Sequence, residues 1–238
     1  MQKIVFIIVF LFQTILLSAQ IENMRFGLDL NPSFNWMNSN SPKINANGGT
    51  MGFGIHALGE YSLNERYFIK FGLGMAFNQG GTMLHEDGYI PRSELSEDNA
   101  KDMLMGQTNV DVTYLIQYVE VPLSFRMRTR DYGYVRYFID IPEIKFGIGV
   151  KKRGNVEASS LSLEKEVFNK DINTFNVWWG LGGGVEYDIS ENTTLTAGLH
   201  FLQSFLDITD NKATNGSGEK EDSKGNLSGV GLRIGVMF

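Results

Sequence analysis

The sequence predicts an all-β protein: one eight-stranded antiparallel up-and-down transmembrane β-barrel over residues 20–238, behind a cleaved signal peptide over residues 1–19. Three observations predict it. Apolar residues recur at every second position, segment after segment, with glycine, polar or charged residues between them. The segments number eight, and the links between them alternate tight and extended. A period of two with one greasy face is a strand seen by two media. Short turns at one end and long loops at the other are the habit of outer-membrane barrels, whereas a soluble sandwich implies no such regularity.

The amino terminus supplies an address. Lys3 precedes an apolar run over 4–17, then Ser18 and Ala19, a pattern that reads as a signal peptide cut after Ala19. No later stretch is apolar for long enough to be a spanning helix, so a membrane would be crossed by strands. With no cysteine there is neither a disulfide nor a thiolate metal site. A formal charge of −6 argues against a nucleic-acid partner.

The first strand, 25–36, turns Phe26, Leu28, Leu30, Phe34 and Trp36 one way and Arg25, Asp29, Asn31 and Asn35 the other. A polar loop, 37–48, leads to the second, 50–63, with Met51, Phe53, Ile55, Ala57 and Tyr61 outward and His56 and Glu60 inward. After a tight link at 64–66 the third, 67–79, places Tyr67, Ile69, Phe71, Leu73, Met75 and Phe77 outward and Lys70 inward. A long acidic segment, 80–113, follows. The fourth, 114–128, has Leu115, Val119, Val121, Leu123, Phe125 and Met127 against Glu120, Pro122, Ser124, Arg126 and Arg128.

The fifth strand, 134–150, changes phase. Val135, Tyr137, Ile139 and Ile141 are odd-numbered, whereas Ile144, Phe146, Ile148 and Val150 are even. One extra residue at a β-bulge absorbs such a slip, and proline is tolerated where a ladder is interrupted, so a bulge is expected over 141–143. A second polar loop, 151–173, precedes the sixth strand, 175–187, which alternates Phe175, Val177, Trp179, Leu181, Val185 and Tyr187 with small residues and Glu186. The seventh turns Leu195, Ala197, Leu199, Phe201 and Phe205 outward and Thr196 and His200 inward. The closing strand follows the loop 209–226, with Val230, Leu232, Ile234, Val236 and Phe238 on one face. Phe238 reads as the carboxy-terminal signal presented to the barrel-assembly machinery. Aromatics gather near the strand ends (Trp36, Tyr61, Tyr67, Phe77, Phe175, Tyr187, Phe205), as interfacial girdles do. The partner of the outer surface is then lipid, in the bacterial outer membrane, with both termini in the periplasm.

An eight-stranded barrel encloses little more than its own side chains. The inward set is balanced: Arg25, Lys70, Arg126, Arg128, Arg136, Lys145 and Arg233 oppose Asp29, Glu60, Glu120, Asp140, Glu143, Glu186 and Asp188. Charges in a narrow lumen should pair, because an unpaired one there costs several kcal/mol. Arg25, Arg126, Arg128 and Arg136 fall at the periplasmic mouth and form a candidate docking site for an acidic partner; Glu60, Glu186 and Asp188 lie at the same depth and are expected to neutralise them. His56 and His200 are expected as satisfied interior groups, and His85 in a mobile loop. No Ser/His/Asp spacing, cofactor motif or metal-loop spacing is present; Glu86-Asp87, Glu97-Asp98 and 219–222 read as solvated loop acids.

In the fourth strand, Tyr118-Val119-Glu120-Val121-Pro122-Leu123-Ser124-Phe125-Arg126 resembles the Tyr-Leu-Glu-Ile-Pro-Leu signature of the PorT-like outer-membrane barrel family. Tyr118, Glu120, Pro122 and Leu123 occupy its positions. The likeness extends through 182–187 and 198–210. It implies an eight-stranded outer-membrane barrel without catalytic residues. It also implies a role as an accessory of the type IX protein secretion system, with other secretion components as partners. Two further readings stand beside it: a structural or ligand-binding barrel working through 80–113, and a small outer-membrane hydrolase.

Overall fold

The computed structural model describes residues 23–97, 99–159, 161–210, 213–220 and 223–238. The expected signal peptide, 1–19, lies outside them. Nine strands form one sheet: β1 (Met24–Ser39), β2 (Ile44–Ser62), β3 (Tyr67–His85), β4 (Val110–Arg128), β5 (Val135–Ala158), β6 (Leu161–Val167), β7 (Phe175–Ser190), β8 (Thr193–Ser204) and β9 (Gly225–Met237), with one short helix, α1 (Ala100–Leu104). The order β4-β3-β2-β1-β9-β8-β7-β5, with β4 also pairing β5, closes an eight-stranded antiparallel barrel. β6 stands outside the cylinder and folds back on the end of β5 as a hairpin. The closing seam is two-sided. β9 pairs both β8 and β1, and Phe238 and Phe26 exchange backbone hydrogen bonds of 2.7 and 3.2 Å.

Alternation decides the faces. Leu28, Leu30 and Phe34 of β1, Ile55 of β2, Leu123 of β4, and Val230, Leu232 and Ile234 of β9 are all exposed on the outside, while the residues between them are buried within. Such a continuous belt of exposed hydrocarbon suits lipid and no aqueous surface.

The phase change in β5 is a bulge, as expected. Asp140 pairs Gly182 and Glu143 pairs Gly180, so three steps of β5 match two of β7; the same residues are out of step with Arg126 and Ser124 of β4. Asp140 and Glu143 therefore both point inward, and Ile141 and Pro142 both point outward. The Ile141–Pro142 peptide bond is cis.

Three expectations are corrected. The strands run further at the long-loop end: β2 begins at Ile44, β3 reaches His85, β4 starts at Val110 and β5 ends at Ala158. The link 37–48 thereby shrinks to a tight connection at 40–43, and part of the expected loop 151–173 is strand. His85 is not in a mobile loop: it ends β3, paired with Ile44 and Val110, and is 3% exposed. The cause is common to all three. Beyond the lipid belt the apolar side chains change sides and pack inward, so a pattern sought on the outer face stops where the strand does not.

β4 shows this inversion in one element. Its even-numbered residues face inward throughout: Val110, Val112, Tyr114, Ile116 and Tyr118 are apolar or aromatic, then Glu120, Ser124, Arg126 and Arg128 are polar or charged. The first five join Met37, Ile44, Met83, Leu104, Phe168, Ile172, Ile208 and Leu227 in a dry core that closes the long-loop end.

Candidate functional site

The lumen is built in layers, the lowest at the end carrying the tight turns. There Glu60 of β2 accepts from Arg25 Nη2 at 2.7 Å and from Arg128 Nη2 at 2.5 Å. Glu186 of β7 accepts from Arg126 Nη1 at 2.7 Å and stands 2.8 Å from Arg128 Nε. Arg136 of β5 pairs Asp188, which also accepts from Thr194 Oγ1 at 2.7 Å. The seven charged residues expected at this mouth thus form one connected network. Only its outer members reach solvent: the Arg25, Arg136 and Asp188 side chains are 29%, 21% and 28% exposed, against 2% and 3% for Arg126 and Arg128. The two buried guanidiniums lie 3.9 Å over the rings of Phe138 and Phe68 respectively, so their flat faces are covered as well as their edges.

Above it, the bulge delivers a hub. Asp140 takes a two-pronged contact from Arg126, Nε to Oδ1 at 2.7 Å and Nη2 to Oδ2 at 2.8 Å. Its Oδ2 also accepts from Lys70 Nζ at 3.1 Å and from Arg233 Nη1 at 2.5 Å. Arg233 spans onward to Glu143 at 2.6 Å and Asp29 at 3.2 Å. Because the bulge turns both Asp140 and Glu143 inward, one arginine of β9 can bridge them.

The next layer centres on Glu120. It accepts from Lys145 Nζ at 3.0 Å and lies 2.9 Å from His56 Nε2. Asn31 Nδ2 sits 2.9 Å from Asp29 Oδ1 and 3.0 Å from His56 Nδ1, so Nδ1 accepts and Nε2 carries the proton donated to Glu120. His200 lies 3.1 Å from Arg233 Nη2. Both lumen histidines are therefore held by polar partners, as expected of interior groups. Between this layer and the dry core is a cavity of about 30 Å³ lined by Asn31, His56, Glu120, Lys145, Trp178 and His200 among others, room for about one water molecule. His200, which lines it, packs directly on the backbone of β9: a Cβ on Gly231 would stand 2.1 Å from His200 Nε2, so any larger residue there would push the ring aside.

The four motif positions mark the boundary between the two interiors. Tyr118 is wholly buried and meets Trp178 edge-on, 4.9 Å between ring centroids, as the last member of the dry core. Glu120 is the first charged residue below it. Pro122 faces inward and Leu123 outward.

A lid covers the dry core. Asp171 accepts from the backbone N–H groups of Arg92 and Ser93 at 2.7 and 3.0 Å, Arg92 pairs Asp210 at 2.6 Å, and Glu166 of β6 accepts from the Ser96 backbone at 2.9 Å. These bonds tie the segment after β3 to the segments flanking β7 and β8, with Ala100 and Leu104 of α1 inserted beneath. Sequence reasoning missed this closure. The signal was present in β4, whose even positions 110–118 are apolar in phase with the charged positions 120–128. Among the described residues, no group of His, Cys, Asp or Glu has the arrangement of a metal site.

Closed topology, an apolar outer belt and an ion-filled interior define an outer-membrane β-barrel. Residues 18–210 match the family model described as "Outer membrane protein beta-barrel domain", and the chain belongs to that family, in the bacterial outer membrane. Among solved structures it is similar to Neisserial surface protein A, at 14% identity and a TM-score of 0.42, covering 91% of this chain and 98% of that one. A major outer membrane protein from Thermus thermophilus is matched at 12% identity and a TM-score of 0.44, covering 91% and 99%. The attachment invasion locus protein Ail of Yersinia pestis is matched at 12% identity and a TM-score of 0.35, covering 91% and 100%. No curated protein matches the chain in sequence.

Proposed function

We propose that this protein is a non-enzymatic, non-conducting accessory of the type IX secretion system, with both termini and the tight turns in the periplasm and the lid at the cell surface. The observation that carries the reading is the state of the lumen: paired charges fill the lower two layers and a dry core stops the other end. A barrel of this width has no room for a path beside them. Its work then falls to its rims, with lipid around the belt and the assembly machinery engaged through Phe238 during insertion. The secretion role is supported by the likeness of residues 118–126 to the PorT-like signature. Deleting the gene in the native host and assaying secreted protease activity tests it. Loss of secretion, restored by the wild-type gene, is expected; undiminished secretion would retire the role and leave the barrel.

At the periplasmic rim, Arg25 and Arg136 are the arginines of the network within reach of an acidic partner, and both already touch carboxylates. We read the cluster first as self-neutralising. Full complementation by a folded R25E/R136E barrel would retire docking there.

A second reading, a barrel that binds a ligand through its lid, is favoured by the fixing of that lid through Asp171 and Glu166. A phenotype lost on shortening the lid, with secretion intact, would support it. The hydrolase reading is the weakest: His85, the histidine nearest that rim, is buried with its ring 4.6 Å from that of Tyr89.

A further inference from the structure

β5 carries a second irregularity. Tyr118 and Gln117 of β4 are consecutive, but their partners are Gly149 and Lys151, so one residue of β5 is in excess at Val150. The phase reverses again. Lys152, opposite Ile116, turns inward and donates to Ile172 O at 2.8 Å and Thr174 Oγ1 at 2.7 Å. Lys151 and Arg153 turn outward and are exposed. Every other lysine and arginine described in the eight barrel strands points into the lumen. These two have no ion pair among the described residues.

Their height is informative. The outward residues immediately before them, Ile148 and Val150, are half exposed and apolar, as is Phe175, the partner of Ile148 on β7. About ten residues of a strand tilted by about 40° climb roughly 25 Å, the thickness of the hydrocarbon band. Ten rises above the rim residue Tyr137, allowing for the bulge at 141–142, reach Ile148. Lys151 and Arg153 therefore stand just past the hydrocarbon, at the depth of lipid headgroups. Their partners across β4 are neutral, Gln117 and Leu115.

We propose that Lys151 and Arg153 form a binding site for the phosphate of an outer-leaflet glycolipid, lipid A, whose acyl chains lie along Ile148, Val150 and Phe175. The site rests on the proposed orientation, which puts the lid end at the cell surface. The chemistry is a phosphate monoester held by an arginine fork and an ammonium, with hydrocarbon directly beneath. The second bulge serves this arrangement: without it the basic run would send Lys151 and Arg153 into the dry core and leave Lys152 alone outside.

Native mass spectrometry of the full barrel released from detergent micelles tests the site, titrating phosphorylated lipid A, dephosphorylated lipid A, phosphatidylglycerol and inorganic phosphate. Each cation near an anionic surface is worth roughly fivefold, so K151Q/R153Q should bind phosphorylated lipid A about thirtyfold more weakly and R153Q about fivefold. K43Q, in the connection between β1 and β2 and paired with Asp87, should match wild type. Equal binding by wild type and the double variant, or of dephosphorylated lipid A and its parent, would overturn the site. Equal affinity for phosphatidylglycerol, or displacement by millimolar inorganic phosphate, would overturn its assignment to the outer leaflet. Orientation is read separately, by labelling S162C on intact cells with an impermeant maleimide. Absence of label would overturn the topology on which the glycolipid assignment depends, without altering the affinities that judge the phosphate site.

Discussion

Asp140 is where the energetics of the lumen are concentrated. One carboxylate, wholly buried, faces Lys70, Arg126 and Arg233. Neutralising it leaves three cations in a cavity with too little opposing charge, and breaking a buried pair by removing one partner typically costs about 3–5 kcal/mol. Asp140→Asn, nearly isosteric, should lower unfolding stability in urea by about that amount, followed by tryptophan fluorescence in lipid vesicles. Adding Lys70→Met, which removes one of the stranded charges, should recover a large part of the loss. An Asp140→Asn barrel as stable as wild type would mean that water or ions already screen the network. Glycine makes the complementary point: Gly231→Leu should displace His200 and weaken the middle layer.

At the scale of the element, β4 carries the plan of the molecule, and its two halves make opposite predictions. Ile116 is wholly buried in the dry core, whereas its neighbour Gln117 faces outward. Ile116→Glu should place an unpaired carboxylate among apolar side chains, loosen the lid and expose the segment 86–108 to protease. Gln117→Glu should leave digestion unchanged. Equal protection in both variants would show that the core does not hold the lid. The same element explains what was legible beforehand. Where lipid lies outside, hydrophobicity reports the outer face, so all eight membrane-crossing segments and the bulge at Ile141–Pro142 could be read from alternation alone. Above the lipid the sign of the pattern reverses. Val110 and Val112 continue β4 as inward residues, and Leu161 and Leu163 of β6 are buried likewise, so a pattern sought on the outer face reads both stretches as loop. The charged residues of the mouth were legible because their depth follows from strand register. The pairing of particular partners, with Asp140 as hub, depends on the curvature of the barrel and was not.

For the whole molecule, the two interiors divide the labour of closure. The ion network satisfies charges inside the membrane-spanning part, and the dry core seals the end beyond it, so removing the lid alone should not open a path. On the outside, β9 offers a direct check of the membrane assignment. The chain has no cysteine, so single cysteines at Val230, Leu232 and Ile234 can carry spin labels. All three should contact lipid-soluble oxygen more than an aqueous nickel chelate.

The measurement that bears most directly on the filled lumen is conductance across a planar lipid bilayer after insertion of the purified, folded barrel, with and without the lid residues 92–105. Lumen charges paired as described predict a silent membrane in both cases at either polarity. Steady ohmic steps from the intact protein would contradict the closed interior and, with it, the assignment of function to the rims.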